Sequence, residues 1–189
     1  MKSVTAVALA IQLLGSFSLA AQETPAVDFR NDRMFSIPAD RLVRDSSGTP
    51  LVGENYLAQL HYGPVGASES SLNPVTAAPA SFRPATTDRP GTWNGGYRVL
   101  SGFFAGQTVT LQVRVWDGSL ADSYDEAVNL GAGQYGKSLP FSFFIPPPTP
   151  PPFFWYIENF RGFTLVPEPS LIGLAVLGFI GLWLVKRRA

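Results

Sequence analysis

An apolar run opens at Leu171 and closes at Val185, fifteen residues without a charge, and the chain then ends on Lys186-Arg187-Arg188-Ala189. Ile172, Leu174, Val176, Phe179, Leu182 and Trp183 would cover every side of a helix, so the run has no polar face to turn to water and belongs in lipid as a single transmembrane helix. At the helical rise it spans about 22 Å against a hydrocarbon core of about 30 Å, a gap that snorkelling of the basic tail and local thinning of the bilayer close. Cations directly after an apolar span favour the cytoplasmic side, which places everything before Leu171 outside. The other end agrees with this topology. Residues 1–20 open with Lys2, pass through a largely apolar stretch at 4–14 and close on Ser18-Leu19-Ala20, the three-part layout of a secretory signal peptide. Cleavage is expected between Ala20 and Ala21.

The apolar run is preceded by Val166-Pro167-Glu168-Pro169-Ser170. A Pro-Glu-Pro triplet, a short apolar span and a terminal basic cluster together resemble the PEP-CTERM sorting signal of Gram-negative bacteria that make exopolysaccharide. The resemblance covers residues 166–189 and implies that Pro167, Glu168 and Pro169 are the recognition motif, that the stretch bounded by Leu171 and Val185 is the anchor, and that Lys186, Arg187 and Arg188 are stop-transfer charges. It also implies a partner: an exosortase, a membrane-embedded processing enzyme resembling a cysteine protease, which cuts near the triplet. The chemistry suits such a site, because two prolines hold the backbone extended and forbid helix through the triplet, which keeps it accessible above the lipid bilayer.

Residues 21–166 remain for folding, enough for one domain with a real core and too few for two. They carry ten Lys plus Arg and thirteen Asp plus Glu, a net charge of −3 with no run of one sign, so nothing in them forms a nucleic-acid surface. Cysteine is absent, which excludes disulfides, thiolate metal sites and cysteine nucleophiles together. An exported domain of this kind has only its hydrophobic core to hold it.

Period-two spacing dominates that domain. Val109, Leu111, Val113 and Val115 alternate with Thr110, Gln112, Arg114 and Trp116, which predicts a strand over 108–116 with one face buried. A second strand is expected over 56–62, with Tyr56, Ala58, Leu60 and Tyr62 on one face and Leu57, Gln59 and His61 on the other. Further strands are expected at 97–104 and 138–145, separated by turn-rich stretches such as Asp88-Arg89-Pro90-Gly91 and Asn94-Gly95-Gly96. Ser123 and Glu126 form a capping-box pattern ahead of Ala127, Val128 and Leu130, with Gly131 as terminator, which predicts one short helix. The expected fold is therefore mainly β: a small antiparallel β-sandwich-like domain over 21–145 with one short helix, flanked by the signal peptide and the transmembrane helix. Six prolines in the seven residues 146–152 make a stiff extended linker of about 20 Å. The aromatic segment 153–165 that follows either folds back as a last strand or lies on the membrane interface; fold-back is expected, since the alternative leaves an aggregation-prone stretch bare.

Candidate sites are few. Gly131-Ala132-Gly133-Gln134-Tyr135-Gly136-Lys137-Ser138 fits the phosphate-loop spacing, but a helix is expected before the first glycine and a strand after the lysine, the reverse of what phosphate binding needs; no nucleotide is expected. His61 is the single histidine, and no serine stands in a nucleophile-elbow context to partner it. Asp117, Asp122, Asp125 and Glu126 are oxygen-rich but match no calcium loop, so neither metal nor cofactor is expected. Trp93, Tyr97, Trp116 and Tyr124 raise sugar binding by ring stacking, with Trp116, on the polar-alternating side of its strand, as the candidate contact. These readings converge on a non-enzymatic exported protein, held in the membrane or released at the cell surface and associated with the envelope or exopolysaccharide matrix. The alternative is a carbohydrate-binding surface module.

Overall fold

The computed structural model describes residues 25–32, 40–131, 133–147 and 156–166; the expected signal cleavage at Ala20 and Ala21, the Pro167-Glu168-Pro169 motif and the anchor lie outside the described residues. In chain order the elements are β1 (Ala26–Arg30), β2 (Tyr56–Pro64), β3 (Asn73–Pro74), β4 (Ala80–Ser81), β5 (Asn94–Val99), β6 (Thr108–Asp117), α1 (Tyr124–Leu130), β7 (Tyr135–Lys137) and β8 (Phe141–Phe144), with one 3-10 turn at Glu69–Ser71. The domain is mainly β, with two antiparallel sheets and one short helix. No helix among the described residues is long and apolar enough to cross a membrane.

β6 and β2 form the spine of the larger sheet and pair antiparallel from Tyr56 opposite Asp117 to Pro64 opposite Val109. β3 and β4 flank β2, while β7 and β8 flank β6. The smaller sheet is the ribbon β1–β5. One hydrophobic core gathers Val27 and Phe29 of the ribbon, Ala58 and Leu60 of β2, and Val109, Leu111, Val113 and Val115 of β6. Trp93 is fully buried within it, its ring 5.3 Å from Phe29, 5.4 Å from Phe82 and 5.5 Å from Phe160. Asn31 is buried with its side-chain polar atoms all used: its amide donates to the Arg41 and Gly91 carbonyls and its oxygen accepts from the Trp93 backbone N–H. A buried amide satisfied in this way specifies one arrangement of three separate segments.

Residues 156–166 run over the domain without a continuous strand. Ile157, Phe160 and Leu165 are buried in the core, and the backbone makes isolated bridges to Asp28, Arg44 and Tyr135. Arg44 N donates to the Phe163 carbonyl and Leu165 N to the Arg44 carbonyl, each at 2.9 Å, while Val166 N donates to the Tyr135 carbonyl at 2.8 Å. The segment thus joins residues 42–44 to the β7 edge.

The expectation of one wet face on β6 is corrected: every residue from Val109 to Asp117 is buried. The reason is a second layer. Ala121 and Ala127 pack on Trp116, and Arg114 is held between α1 and the 3-10 turn. Strand bounds shift elsewhere for local reasons. β5 occupies 94–99 rather than 97–104, because the chain turns through Gly102 and Gly106, both at positive φ. β8 begins only at Phe141, because Ser138 spends its backbone and hydroxyl on Val113.

Candidate binding cleft

The outer face of β2 and β6 is the floor of a cleft of about 850 Å³. Parity along the strands sets its members. Alternate residues of β2 and β6 share a face, so Gln59 and His61 stand beside Arg114, with Trp116 beneath. Lys137 joins from β7, where it lies opposite Arg114. The 3-10 turn supplies Glu69 on one side and α1 supplies Tyr124 and Asp125 on the other. α1 is fixed there by its ends: Ser123 Oγ accepts from Glu126 N at 3.2 Å, and Gly131 caps the C-terminus in the left-handed conformation. Glu126 reaches back to Asp122 N at 2.8 Å, one residue earlier than a standard capping box uses.

Two ion pairs organise the cleft. Arg114 donates from Nε to Gln112 Oε1 at 3.1 Å, from Nη1 to Asp125 Oδ1 at 3.3 Å and from Nη2 to the Glu69 carbonyl at 3.0 Å, with its guanidinium 5.4 Å from the Tyr124 ring centre. Lys137 pairs with Glu69, and the hydrogen bond from Lys137 holds the Glu69 carboxyl below its ordinary range despite some opposing burial. Burial raises the Tyr124 phenol, with Arg114 opposing. His61 is 5 % exposed, and its ring nitrogens make no hydrogen bond of ordinary geometry, the Leu72 backbone being the polar group that bears on them. Burial pushes its imidazole down to about 4, and nearby Arg114 pushes the same way against smaller effects of the Leu72 backbone and Asp125. His61 is therefore neutral at pH 7, with one ring nitrogen a donor and the other an acceptor.

Trp116 is not available for stacking. Its ring is fully buried, Nε1 donates to the Ala121 carbonyl at 3.0 Å, and no face is open to a sugar. Trp93 is equally buried in the main core. The phosphate-loop spacing is used for other purposes: Gly131 ends α1, Lys137 lies on a strand paired with β6, and Ser138 Oγ accepts from Val113 N at 3.0 Å. The helix therefore precedes the glycines, and no amides converge from a helix after the lysine. The acidic residues are also separately engaged. Asp117 Oδ1 accepts from Ser119 and Asn55, Asp125 pairs with Arg114, and Glu126 holds the Asp122 amide. Among the described residues no group of three or more His, Asp or Glu side chains is placed to hold a metal ion.

Sequence reading set His61 aside as a lone structural or surface histidine and did not place it beside Gln59, Gln112 and Arg114. The signal lay in parity, since Gln59 and His61 of one strand and Gln112 and Arg114 of the other are polar positions on one face of a pair. Comparison of the chain with known protein families, with curated proteins and with solved structures finds no match.

Proposed function

We propose that this chain is an exported, non-enzymatic β-domain, membrane-anchored through its C-terminal tail or released at the cell surface after an exosortase-type enzyme acts at Pro167-Glu168-Pro169. Its place is then the envelope or the exopolysaccharide matrix. The observation that carries the reading is where the fold closes. Val166, hydrogen-bonded to Tyr135 and half exposed, is followed in sequence directly by Pro167. Processing at the triplet would leave the contacts described for residues 156–166 in place. Mass spectrometry of the mature C-terminus, in cells with and without the cognate exosortase, tests this. The expected result is a product ending close to the triplet only when the enzyme is present; full-length chain recovered from the cytosol overturns the reading.

The second reading, a carbohydrate-binding surface module, does not rest on Trp116. The cleft above β2 and β6 supports it instead, as a concave polar site of ligand-binding size on an exported domain.

A further inference from the structure

We propose that the cleft binds a neutral, hydroxyl-rich saccharide, with His61 and the two ion pairs Arg114–Asp125 and Lys137–Glu69 as its polar contacts. The proposal deepens the carbohydrate reading and is independent of how the C-terminal tail is processed.

Three features select this chemistry. The first is internal neutralisation. Each cation of the cleft already faces a carboxylate, and Asp122 adds a further negative charge at the rim. An anionic ligand would have to displace Glu69 or Asp125 and would meet the further negative charge of Asp122. The second is spare hydrogen-bonding capacity of both kinds. A guanidinium has five N–H donors, of which Arg114 directs three at Gln112, Asp125 and the Glu69 carbonyl; the ammonium of Lys137 has three and directs one at Glu69. The paired carboxylates retain lone pairs. A hydroxyl both donates and accepts, so a ring of hydroxyls suits alternating donors and acceptors without adding charge.

The third is His61. It lines the cleft, is 5 % exposed, and its ring nitrogens lie just beneath the cleft surface, with the Leu72 backbone as their nearest polar influence, so a hydroxyl reaches them once a side chain of the floor shifts. A buried polar group that is weakly partnered carries a desolvation cost that a well-placed hydroxyl would lower. As the neutral imidazole it offers one donor and one acceptor, the same pattern as its neighbours. Leu72, Pro74 and Val128 add apolar wall, which suits the C–H faces of a sugar ring. The volume of about 850 Å³ lies within the range of about 300–1,000 Å³ usual for small-ligand sites.

Because His61 is the single histidine of the chain, isotope-labelled histidine gives one ring signal that reports on the cleft. The experiment uses the full-length chain in a non-glycosidic detergent. It is titrated with neutral gluco-, galacto- and manno-oligosaccharides and, separately, with uronate oligomers of matched length. The expected result is a saturable shift of the His61 signal with at least one neutral series, and at least tenfold weaker binding of its uronate counterpart. Glu69→Gln, at a half-exposed position, leaves Lys137 uncompensated and is expected to raise uronate affinity at least tenfold. Equal affinity for both series overturns the preference for neutral sugars while leaving the carbohydrate reading standing. A folded protein whose His61 signal moves with none of them overturns both.

Discussion

Acidification between neutral pH and pH 4 weakens this fold through His61 as well as through its carboxylates. An exposed histidine takes up a proton near pH 6.5, whereas His61, buried beside Arg114, does so only near pH 4. Between these values the unfolded chain binds a proton that the folded chain refuses, so stability is complete above about pH 6.5 and falls as the pH drops toward 4. The slope approaches about 1.4 kcal/mol per pH unit inside that window, and integration from pH 7 to 4.5 gives a loss of about 2 kcal/mol from this one group. The measurement is urea denaturation of the wild type and His61→Gln at matched pH values across the window. The variant carries its own fixed cost, but it has no imidazole to titrate. Carboxylates shared by both proteins cancel in the difference. The stability gap between the two is therefore expected to shrink, or to change sign, by about 2 kcal/mol on going from pH 7 to 4.5. A gap that stays constant with pH refutes the reasoning, because it means that the imidazole accepts its proton in place without cost.

Two further outcomes follow from close contacts and pairing. A Cβ added at Gly162 would stand 2.1 Å from the Leu42 carbonyl oxygen, so Gly162→Ala must push residues 40–44 and 162–166 apart; an expected loss of about 1–3 kcal/mol is read from the urea midpoint. Lys137→Ala removes a half-exposed ion pair, is expected to cost under about 1 kcal/mol, and leaves calorimetric titration with magnesium–ATP as flat as in the wild type; a micromolar heat that the substitution abolishes would restore the phosphate-loop reading.

The parts of the fold legible from sequence were those whose information is local. Val109, Leu111, Val113 and Val115 announce a strand by period alone, and Ser123 with Gly131 brackets α1 to the residue. The ribbon strand β1 was not read from sequence: Val27 and Phe29 alternate with Asp28 and Arg30, but five residues carry too short a period to stand out, and Asp28 is buried against Arg30 two residues on. β3 and β4, at two residues each, carry no period to read. The burial of Arg114 and Trp116 failed for a related reason. A charged or amphipathic side chain predicts solvent until the structure supplies Gln112, Asp125 and the Glu69 carbonyl to one and the Ala121 carbonyl to the other. Those partners come from segments as far apart as residues 69 and 125, which no local pattern brings together. The same non-locality hid the cleft.

The position at which the chain is severed near its carboxyl end decides whether the domain survives. Leu165 is 2 % exposed, with its side chain against Gly136, where an added Cβ would lie 3.0 Å from Leu165 Cδ2. Its N–H holds Arg44, Phe163 accepts from Arg44, and Gly162 N donates to the Asp40 carbonyl at 2.9 Å. Ending the chain at Arg161 deletes all of these. Removal of one buried leucine alone costs about 2–5 kcal/mol, comparable with much of the total stability of about 5–15 kcal/mol that a domain possesses. Ending it at Val166 deletes none of them and also keeps the Val166 N–H on Tyr135. Chains spanning 21–166 and 21–161, compared by thermal melting, are expected to differ by a cooperative transition present in the first and lost or displaced by 10 °C or more, on the scale of roughly 2–8 °C per kcal/mol, in the second. Equal melting of the two would mean that residues 162–166 are not needed to hold the domain together.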